Sequence, residues 1–434
     1  MASQRTRELI FADNFRGFSN TYIELSQVNF FVGENSTGKT SLMSLIALLN
    51  EFEFWLAPRF NNSRITLGTF EDIASAASRP DHFSVGVFSQ TKQEPTLTGR
   101  IVRFVEQDGM PEPSAFFLVA ENKFLMIWLA MGNLRYVFGN FPEGQSYNKN
   151  ISKYAELSVD LYRSLLVSKE NVRTIKTSRS ERFPFAILPR YLASKDEELS
   201  AFEDSFDEMI AGTSFAGIAP IRARPKQIYS GVRPEPSPEG DHSPYVLKSF
   251  QKKTKQAAAF TKAIQNFGTA SGLFDKITIK RLSNKATAPF ELDISKSGIE
   301  FPISSVGYGV SQVLPIVVEM LARNKGTKFA IQQPEVHLHP KAQAAFGDLL
   351  YNVASMDQKS FVIETHSDFM IDRYRLALRK RAEHISTSVV FFENDGSENR
   401  TYAMPIDKDG NYPKNQPENF RDFFLNESIA MLEL

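Results

Sequence analysis

Residues 33–40 read Gly33-Glu34-Asn35-Ser36-Thr37-Gly38-Lys39-Thr40, the pattern G-x-x-x-x-G-K-T. Two glycines so spaced let a backbone curl until several amide N–H groups converge on one point. A lysine directly after the second glycine brings a positive charge there, and the following hydroxyl suits a hard divalent cation. The chemistry this spacing serves is the grip of a nucleoside triphosphate such as ATP. Gly33, Asn35, Ser36, Thr37, Gly38, Lys39 and Ser41 would surround the phosphates, and Thr40 would meet magnesium. A Gly-rich turn before a helix has a similar composition, so context decides. The apolar run Val28–Val32 reads as a buried strand. The stretch "TSLMSLIALLNEFEFWL" reads as a helix with Leu42, Leu45, Ile46 and Leu49 on one face. Such a helix offers its N-terminus to an anion.

Three later stretches carry further candidate groups. "SSVGYGVSQVLPI" puts the turn Gly307-Tyr308-Gly309 before a helix that begins with Ser311 and Gln312, a second anion-binding pattern. "KFAIQQPEVHLHP" is an apolar strand ending in Gln332-Gln333, with Glu335 in the loop beyond. "SFVIETHSDF" is a strand with His366 just past its end. A lone loop histidine is usually bland. Ends of strands along one edge of a parallel sheet are, however, where ligand groups gather.

The elements that must hold these groups follow from periodicity. Residues about 83–140 alternate in the strand manner and are punctuated by turns, which predicts an antiparallel sheet. From about 150 to 215 the pattern turns helical and charged. A Pro/Gly-rich loop spans 217–244, and a helical stretch spans 245–267. "KITIKRL" and "PFELDISKSGIEFPI" read as strands, the latter a hairpin turning at Lys296-Ser297-Gly298. Beyond it, helices and strands alternate, which predicts a largely parallel sheet. The expected organisation is 1–82 and 276–434 as two parts of one head, 83–145 as an antiparallel β subdomain, and 146–275 as a helical insertion.

Composition sets limits on the rest. The 434 residues include 50 Lys and Arg against 50 Asp and Glu, so no global basic field recruits nucleic acid. There is no cysteine, which excludes disulfides and thiolate metal sites. No run approaches the roughly 18–20 apolar residues of a membrane helix, and the N-terminus lacks a signal-peptide core. A cytoplasmic protein without membrane contact is expected. Two basic stretches are candidates for DNA contact. "SKENVRTIKTSRSER" carries Lys169, Arg173, Lys176, Arg179 and Arg182 at helical spacing, and the other is "KSFQKKTKQ". A solvated surface is the commoner use of such charges.

The order of these motifs resembles the ABC-type ATPases of the SMC/RecF/OLD group. "NFRGFSN" with "FFVGENSTGKTSL" is similar to their opening strands and Walker A. "VGYGVSQ" is similar to their signature, "IQQPEVHLHP" to their Walker B and D-loop, and "VIETHS" to their switch-histidine loop. "GIAPIRARP" is similar to a further segment of the group. The resemblance implies an α/β fold: an ABC-type P-loop ATPase head with a mixed, largely parallel sheet, an antiparallel β subdomain and a helical insertion. It also implies a head-to-tail homodimer with ATP sandwiched between the Walker A of one protomer and Gly307, Tyr308, Gly309, Ser311 and Gln312 of the other.

The chain departs from the group at Walker B. The group places an acid at position 332 for magnesium and commonly a glutamate at 333 to orient water. Gln332 and Gln333 carry no charge, and neither is a base. Base catalysis alone is worth about 10²–10⁴-fold, so weak or lost hydrolysis with retained binding is expected. Glu335 and His366 are the groups left to substitute. A segment of about 40 residues after the last strand is too short for the Toprim nuclease that some OLD relatives carry. The resemblance therefore points to an effector in trans, as in the ATPase subunits of bacterial anti-phage systems. Septu-type subunits, paired with an HNH-type nuclease, are the first comparison; PARIS-type subunits with a Toprim effector are the second. An active DNA-repair ATPase of RecF type is the alternative from another class.

Overall fold

The structure, a computed structural model, describes residues 7–420 apart from 63, 76–80, 92–95, 131–132, 142–149, 169, 178–183, 185–186, 201–213, 253, 284, 286, 382 and 384. In chain order the elements begin with strands β1 (Arg7–Asp13), β2 (Thr21–Leu25) and β3 (Val28–Gly33), then helix α1 (Lys39–Asn50). Strands β4 (His82–Gln90), β5 (Leu97–Gln107), β6 (Met110–Ala120), β7 (Lys123–Ala130) and β8 (Asn133–Asn140) precede α2 (Ile151–Val167) and β9 (Arg173–Lys176). There follow β10 (Phe215–Ile218), α3 (Ser243–Ser249), α4 (Lys255–Ser271), β11 (Lys276–Arg281), β12 (Phe290–Lys296), β13 (Ile299–Pro302) and α5 (Tyr308–Ala322). The chain closes with β14 (Lys328–Gln332), α6 (Pro340–Asp357), β15 (Ser360–Glu364), α7 (Asp368–Lys380), β16 (Thr387–Asn394) and β17 (Asn399–Ile406).

These elements fall into two compact units. One comprises Met1–Ser26, Glu34–Thr213 and Phe392–Ala403; the other comprises Gln27–Gly33, Ser214–Phe391 and Met404–Leu434.

The first unit is built on an eight-stranded sheet in the order β2-β1-β4-β5-β6-β7-β8-β9, antiparallel at every pairing. Helix α2 starts at Asn150, whose side chain accepts the N–H groups of Ser152 and Lys153. Its buried face repeats at helical spacing: Ile151, Tyr154, Ala155, Val159 and Tyr162. That face packs with Phe88, Ile101, Phe117 and Met126 of the sheet. The Tyr154 hydroxyl donates to the carbonyls of Leu97 and Glu121, at 3.2 and 3.0 Å, so burial leaves it no unmet donor.

Arg173 and Lys176, read as one face of a charged helix, lie instead on β9, paired with β8. The β-branched pair Thr174-Ile175 suits an extended edge better than a helix. Arg173 is also spent on ion pairs with Asp196 and Glu198. Lys169, Arg179 and Arg182, and Lys253 of the other basic stretch, lie outside the described residues.

The second unit holds most of a six-stranded sheet in the order β10-β14-β15-β3-β16-β17, in which β10, β14, β15 and β3 run parallel. Parallel strands need crossovers, and α6 supplies the one between β14 and β15. Every residue of β3 is buried, as expected for a central strand covered on both faces. Strands β11, β12 and β13 form a separate antiparallel sheet. Its second hairpin turns through Ser297 and Gly298, both with positive φ, the geometry of a two-residue type I′ turn. Among the described residues no helix is long and apolar enough to cross a membrane.

A buried ionic cluster ties the chain just before α3 to α5. His242, 1% exposed, donates from Nε2 to Glu319 Oε1 at 2.7 Å. Its Nδ1 faces the Ser237 N–H at 3.3 Å and so is an acceptor, which leaves the proton on Nε2. Arg323 Nε meets the other Glu319 oxygen at 2.7 Å. Burial pushes the Glu319 carboxyl upward, but His242 and Arg323 outweigh it, and the net shift is below the ordinary value. A depressed carboxyl stabilises the fold above its unfolded pKa and loses that contribution as pH falls through its folded pKa. Glu319→Gln should therefore cost about 1–2 kcal/mol at pH 7. The deficit should shrink in acid, below the ordinary carboxylate range. Urea midpoints of both proteins at neutral and acid pH check this, and a deficit that grows in acid would contradict the assignment.

Candidate nucleotide-binding site

Strand β3 delivers the chain to a loop with three left-handed or mirror-region residues: Gly33 at φ 138°, Ser36 at 66° and Gly38 at 91°. At Gly38 two constraints coincide. The φ disfavours any side chain, and a Cβ would lie 2.6 Å from Phe18 Cζ and 2.8 Å from Asn399 Nδ2. Asn399 is held in turn: its N–H donates to the Gly17 carbonyl at 2.8 Å, and its Nδ2 to the Arg16 carbonyl at 2.9 Å.

Within the loop, the Glu34 carbonyl receives both the Lys39 ammonium, at 2.5 Å, and the Thr37 hydroxyl, at 2.8 Å. Lys39 and Thr37 are each 3% exposed, whereas Glu34, Asn35, Ser36 and Thr40 lie on the surface. Helix α1 begins at Lys39 with no side-chain cap and no acid in its first turn. Its first N–H groups and positive dipole end are thus offered to an anion. Ser41 is half-buried, with the Arg16 Nη1 3.4 Å from its hydroxyl. Motif spacing does not single out Arg16. Burial holds its pKa below the ordinary guanidinium value, with Asp72 opposing.

In the second unit, β14 ends at Gln332, and Gln333 follows at φ 41°. The carbonyls of both residues face one side chain. Arg222, 2% exposed, donates from Nη2 to the Gln332 oxygen at 2.5 Å and from both terminal nitrogens to the Gln333 oxygen at 3.3 Å. The Arg222 backbone is gripped by the Gln312 side chain, whose Oε1 accepts the Arg222 N–H at 3.2 Å. Burial lowers the Arg222 pKa to about 10, with the nearby Glu335 opposing.

Glu335 is the carboxylate closest in sequence to the glutamine pair. Its Oε1 accepts the His366 N–H at 2.7 Å, and its Oε2 is buried without a hydrogen-bond partner. Burial raises its pKa, opposed chiefly by that His366 contact. A second carboxylate, not singled out by motif spacing, stands beside it. Glu364 ends β15 in register with Gln332, is 6% exposed, and accepts the Gln333 N–H on its carbonyl at 2.8 Å. The imidazole of His366 is on the surface.

The turn before α5 has Gly307 at the N-cap and no side-chain cap. Gly309 packs so closely that a Cβ would sit 2.9 Å from the His337 carbonyl. Tyr308 is 57% exposed, its ring 5.3 Å from that of His337. Ser311 and Gln312, expected to meet the γ-phosphate of a neighbouring protomer, face inward here. They are 5% and 6% exposed, and the Ser311 hydroxyl donates to the Tyr308 carbonyl at 3.0 Å. The face of α5 that carries them is packed, which leaves Gly307 and Tyr308 as the outward groups of the turn. The second unit therefore gathers Gln312, Arg222, Gln332, Gln333, Glu335 and the His366 backbone. Among the described residues no group of three or more His, Asp or Glu side chains has metal-binding spacing.

A curled glycine loop between a central parallel strand and an uncapped helix defines a P-loop nucleotide-binding fold. The chain belongs to the AAA ATPase domain family, whose model matches residues 10–96 and 145–371, well over half its length. It is similar to the OLD nuclease of Thermus scotoductus, with 29% identity over 107 residues. That match covers 23% of this chain and 20% of the relative, so the chain spans about a fifth of that protein's length. Among solved structures, an Smc head bound to the C-winged helix domain of ScpA has a TM-score of 0.43 at 10% identity, covering 93% of this chain and 98% of that one. The SMC head domain of Thermotoga maritima has a TM-score of 0.41 at 10% identity, covering 92% and 98%.

Lys39→Ala removes the buried ammonium of the loop and should abolish ATP binding measured by calorimetry; unchanged affinity would place the site elsewhere. Arg222→Ala strands two buried carbonyls and should cost about 2–4 kcal/mol in urea unfolding. Arg222→Lys, which keeps the charge but not the fork, should lose roughly half as much. Equal stability of all three proteins would mean that solvent reaches those carbonyls.

Proposed function

We propose that this protein is an ATP-binding regulatory subunit that holds nucleotide for long periods and controls a nuclease in trans. The observation that carries the reading is the pairing of a complete P-loop with a β14 terminus that bears two amides where the reaction needs carboxylates. Phosphate affinity resides mainly in the loop amides, the α1 terminus and Lys39, all of which are in place. Turnover requires a positioned water and neutralised charge, which Gln332 and Gln333 serve poorly. Magnesium, when bound, would neutralise phosphate charge. Thr40 with nucleotide oxygens and water would hold it, more weakly than with an acid at position 332, since magnesium keeps much of its own hydration.

Two copies would close head to tail over ATP, with Gly307 and Gly309 of one placing α5 N–H groups on the γ-phosphate bound by the other. The partner we favour is an HNH-type nuclease, which makes the chain comparable to PtuA of the Septu anti-phage system. DNA would be met through the assembled complex. The likeness to an OLD nuclease supports a nuclease-linked setting. A second reading has its own support. Glu364, in register with Gln332, and Glu335, with its unpartnered oxygen, are carboxylates close enough along the sheet edge to replace the lost acids. An active ATPase of RecF type would use them.

Magnesium-dependent phosphate release separates the readings. The wild type should release phosphate far below the enzyme norm, which is on the order of 1–10³ s⁻¹. Gln332→Asp with Gln333→Glu should raise the rate by more than the product of the single changes, because both act on one γ-phosphate. Fast wild-type release that collapses in Glu364→Gln or Glu335→Gln would instead establish the second reading. ATP should also double the scattering mass of the wild type but not of Lys39→Ala.

A further inference from the structure

Between β10 and α3 the chain runs as a long loop with no helix or strand. Two backbone bonds close its neck: the Ala219 N–H donates to the Pro238 carbonyl at 3.0 Å, and the Ala223 N–H to the Glu239 carbonyl at 2.9 Å. Tyr229 pins the middle. It exchanges backbone bonds with Phe290 of β12, both at 2.9 Å, and its buried ring stacks on the Phe290 ring. The Tyr229 hydroxyl accepts the Lys226 N–H at 3.0 Å, and the Tyr245 hydroxyl of α3 donates to the Ser230 carbonyl at 2.7 Å. Five prolines between 220 and 238 fix further backbone angles. A loop closed at its neck and braced from within holds its outer side chains in place.

Those outer side chains are of two kinds. Ile221 is 79% exposed and Val232 81%, and Ile228 is exposed as well. Arg224, Lys226 and Arg233 are interleaved with them, also exposed, and among the described residues none of the three is paired with an acid. The chain carries no acid from Ala219 to Pro234. A single exposed aliphatic needs no explanation, but three of them set among three unpaired cations on one braced loop form a surface suited to a partner. The occupant follows from that composition. A nucleic acid would satisfy the cations and leave the aliphatics uncovered, because contacts to DNA are predominantly polar. A bilayer would cover the aliphatics, but a loop without helix or strand cannot satisfy its backbone in hydrocarbon. A second copy presenting the same loop would set cation against cation. An acidic protein segment with an apolar face meets both needs.

We propose that this loop docks an acidic segment of a partner protein. Its carboxylates would meet Arg224, Lys226 and Arg233, and its apolar side chains would cover Ile221, Ile228 and Val232. Because the loop is already braced, little ordering remains to be done on this side when the partner arrives. Ile221 and Arg224 flank the segment of Arg222, so an occupant bears on the residue that holds the Gln332 and Gln333 carbonyls. The inference stands whether or not ATP is hydrolysed.

Fluorescence anisotropy on the full chain tests it with three short labelled peptides: an amphipathic helix of Leu and Glu, a twin with Lys for Glu, and a twin with Ser for Leu. The Leu/Glu peptide should bind best, and more weakly as salt rises. Ile221→Ser with Val232→Ser should lower its affinity about tenfold through the apolar surface no longer covered. Arg224→Glu, Lys226→Glu and Arg233→Glu together should reverse the preference, so that the Lys twin outbinds the Glu peptide. All five side chains are exposed, so melting temperatures and ATP affinity should match the wild type. Should the reversal variant melt early, Gln at the same three positions should abolish the preference instead. No binding of the Leu/Glu peptide at millimolar concentration, equal binding of the Glu and Lys peptides, or a preference that survives the charge changes would overturn the proposal. Duplex DNA or anionic vesicles that bind where the peptide does not, and are lost in the reversal variant, would overturn it too, by assigning the loop to nucleic acid or to a membrane.

Discussion

A guanidinium taken almost wholly out of water must find acceptors, and Arg222 finds them at the point where β14 ends. Its fork spans the carbonyls of Gln332 and Gln333, while its own backbone is held by the Gln312 side chain. One buried charge therefore fixes the start of α5 relative to the end of β14, which are separated by some twenty residues of chain. Carbonyls engaged in this way are also unavailable to solvent, so the backbone at the glutamine pair is rigid by electrostatics rather than by packing alone. The neighbouring Glu335 partly balances the charge and ties the same region to the His366 backbone.

The P-loop depends on a different constraint, steric rather than electrostatic. Gly38 occupies a conformation that strains any side chain, in a space already filled by Phe18 and Asn399. The turn Arg16-Gly17-Phe18 and Asn399 are themselves held together by backbone bonds. The curl of the loop is thus imposed from outside as well as allowed from within. Lys39, held on the Glu34 carbonyl, is pre-placed in the loop. Preorganisation of this kind favours binding, because little ordering remains to be done when phosphate arrives.

Binding and turnover separate chemically in this chain. Amides at 332 and 333 can orient and donate, but they can neither accept a proton nor neutralise a cation. Of the carboxylates that remain near the strand ends, Glu364 is buried and Glu335 half-buried. Burial makes the ionised form of Glu335 harder to reach and gives it the character of a poised acid rather than an exposed ligand.

The sequence by itself determined the strand–loop–helix of the nucleotide site, the antiparallel run of 83–140, the hairpin at Ser297-Gly298 and the parallel sheet of the last third. Each of these is written in local periodicity and in glycine placement, which report backbone conformation directly. It also exposed the glutamine pair, because residue identity at a strand end needs no coordinates. Only tertiary structure decided which way Ser311 and Gln312 face, since a helix tells its buried side only through what packs on it. It likewise decided that Arg173 and Lys176 sit on an edge strand, where pairing with β8 overrides charge spacing. Arg222 and Glu364 reach the glutamine pair from 110 residues before and 32 after. Such meetings are set by sheet register and crossover paths, and no local spacing encodes them.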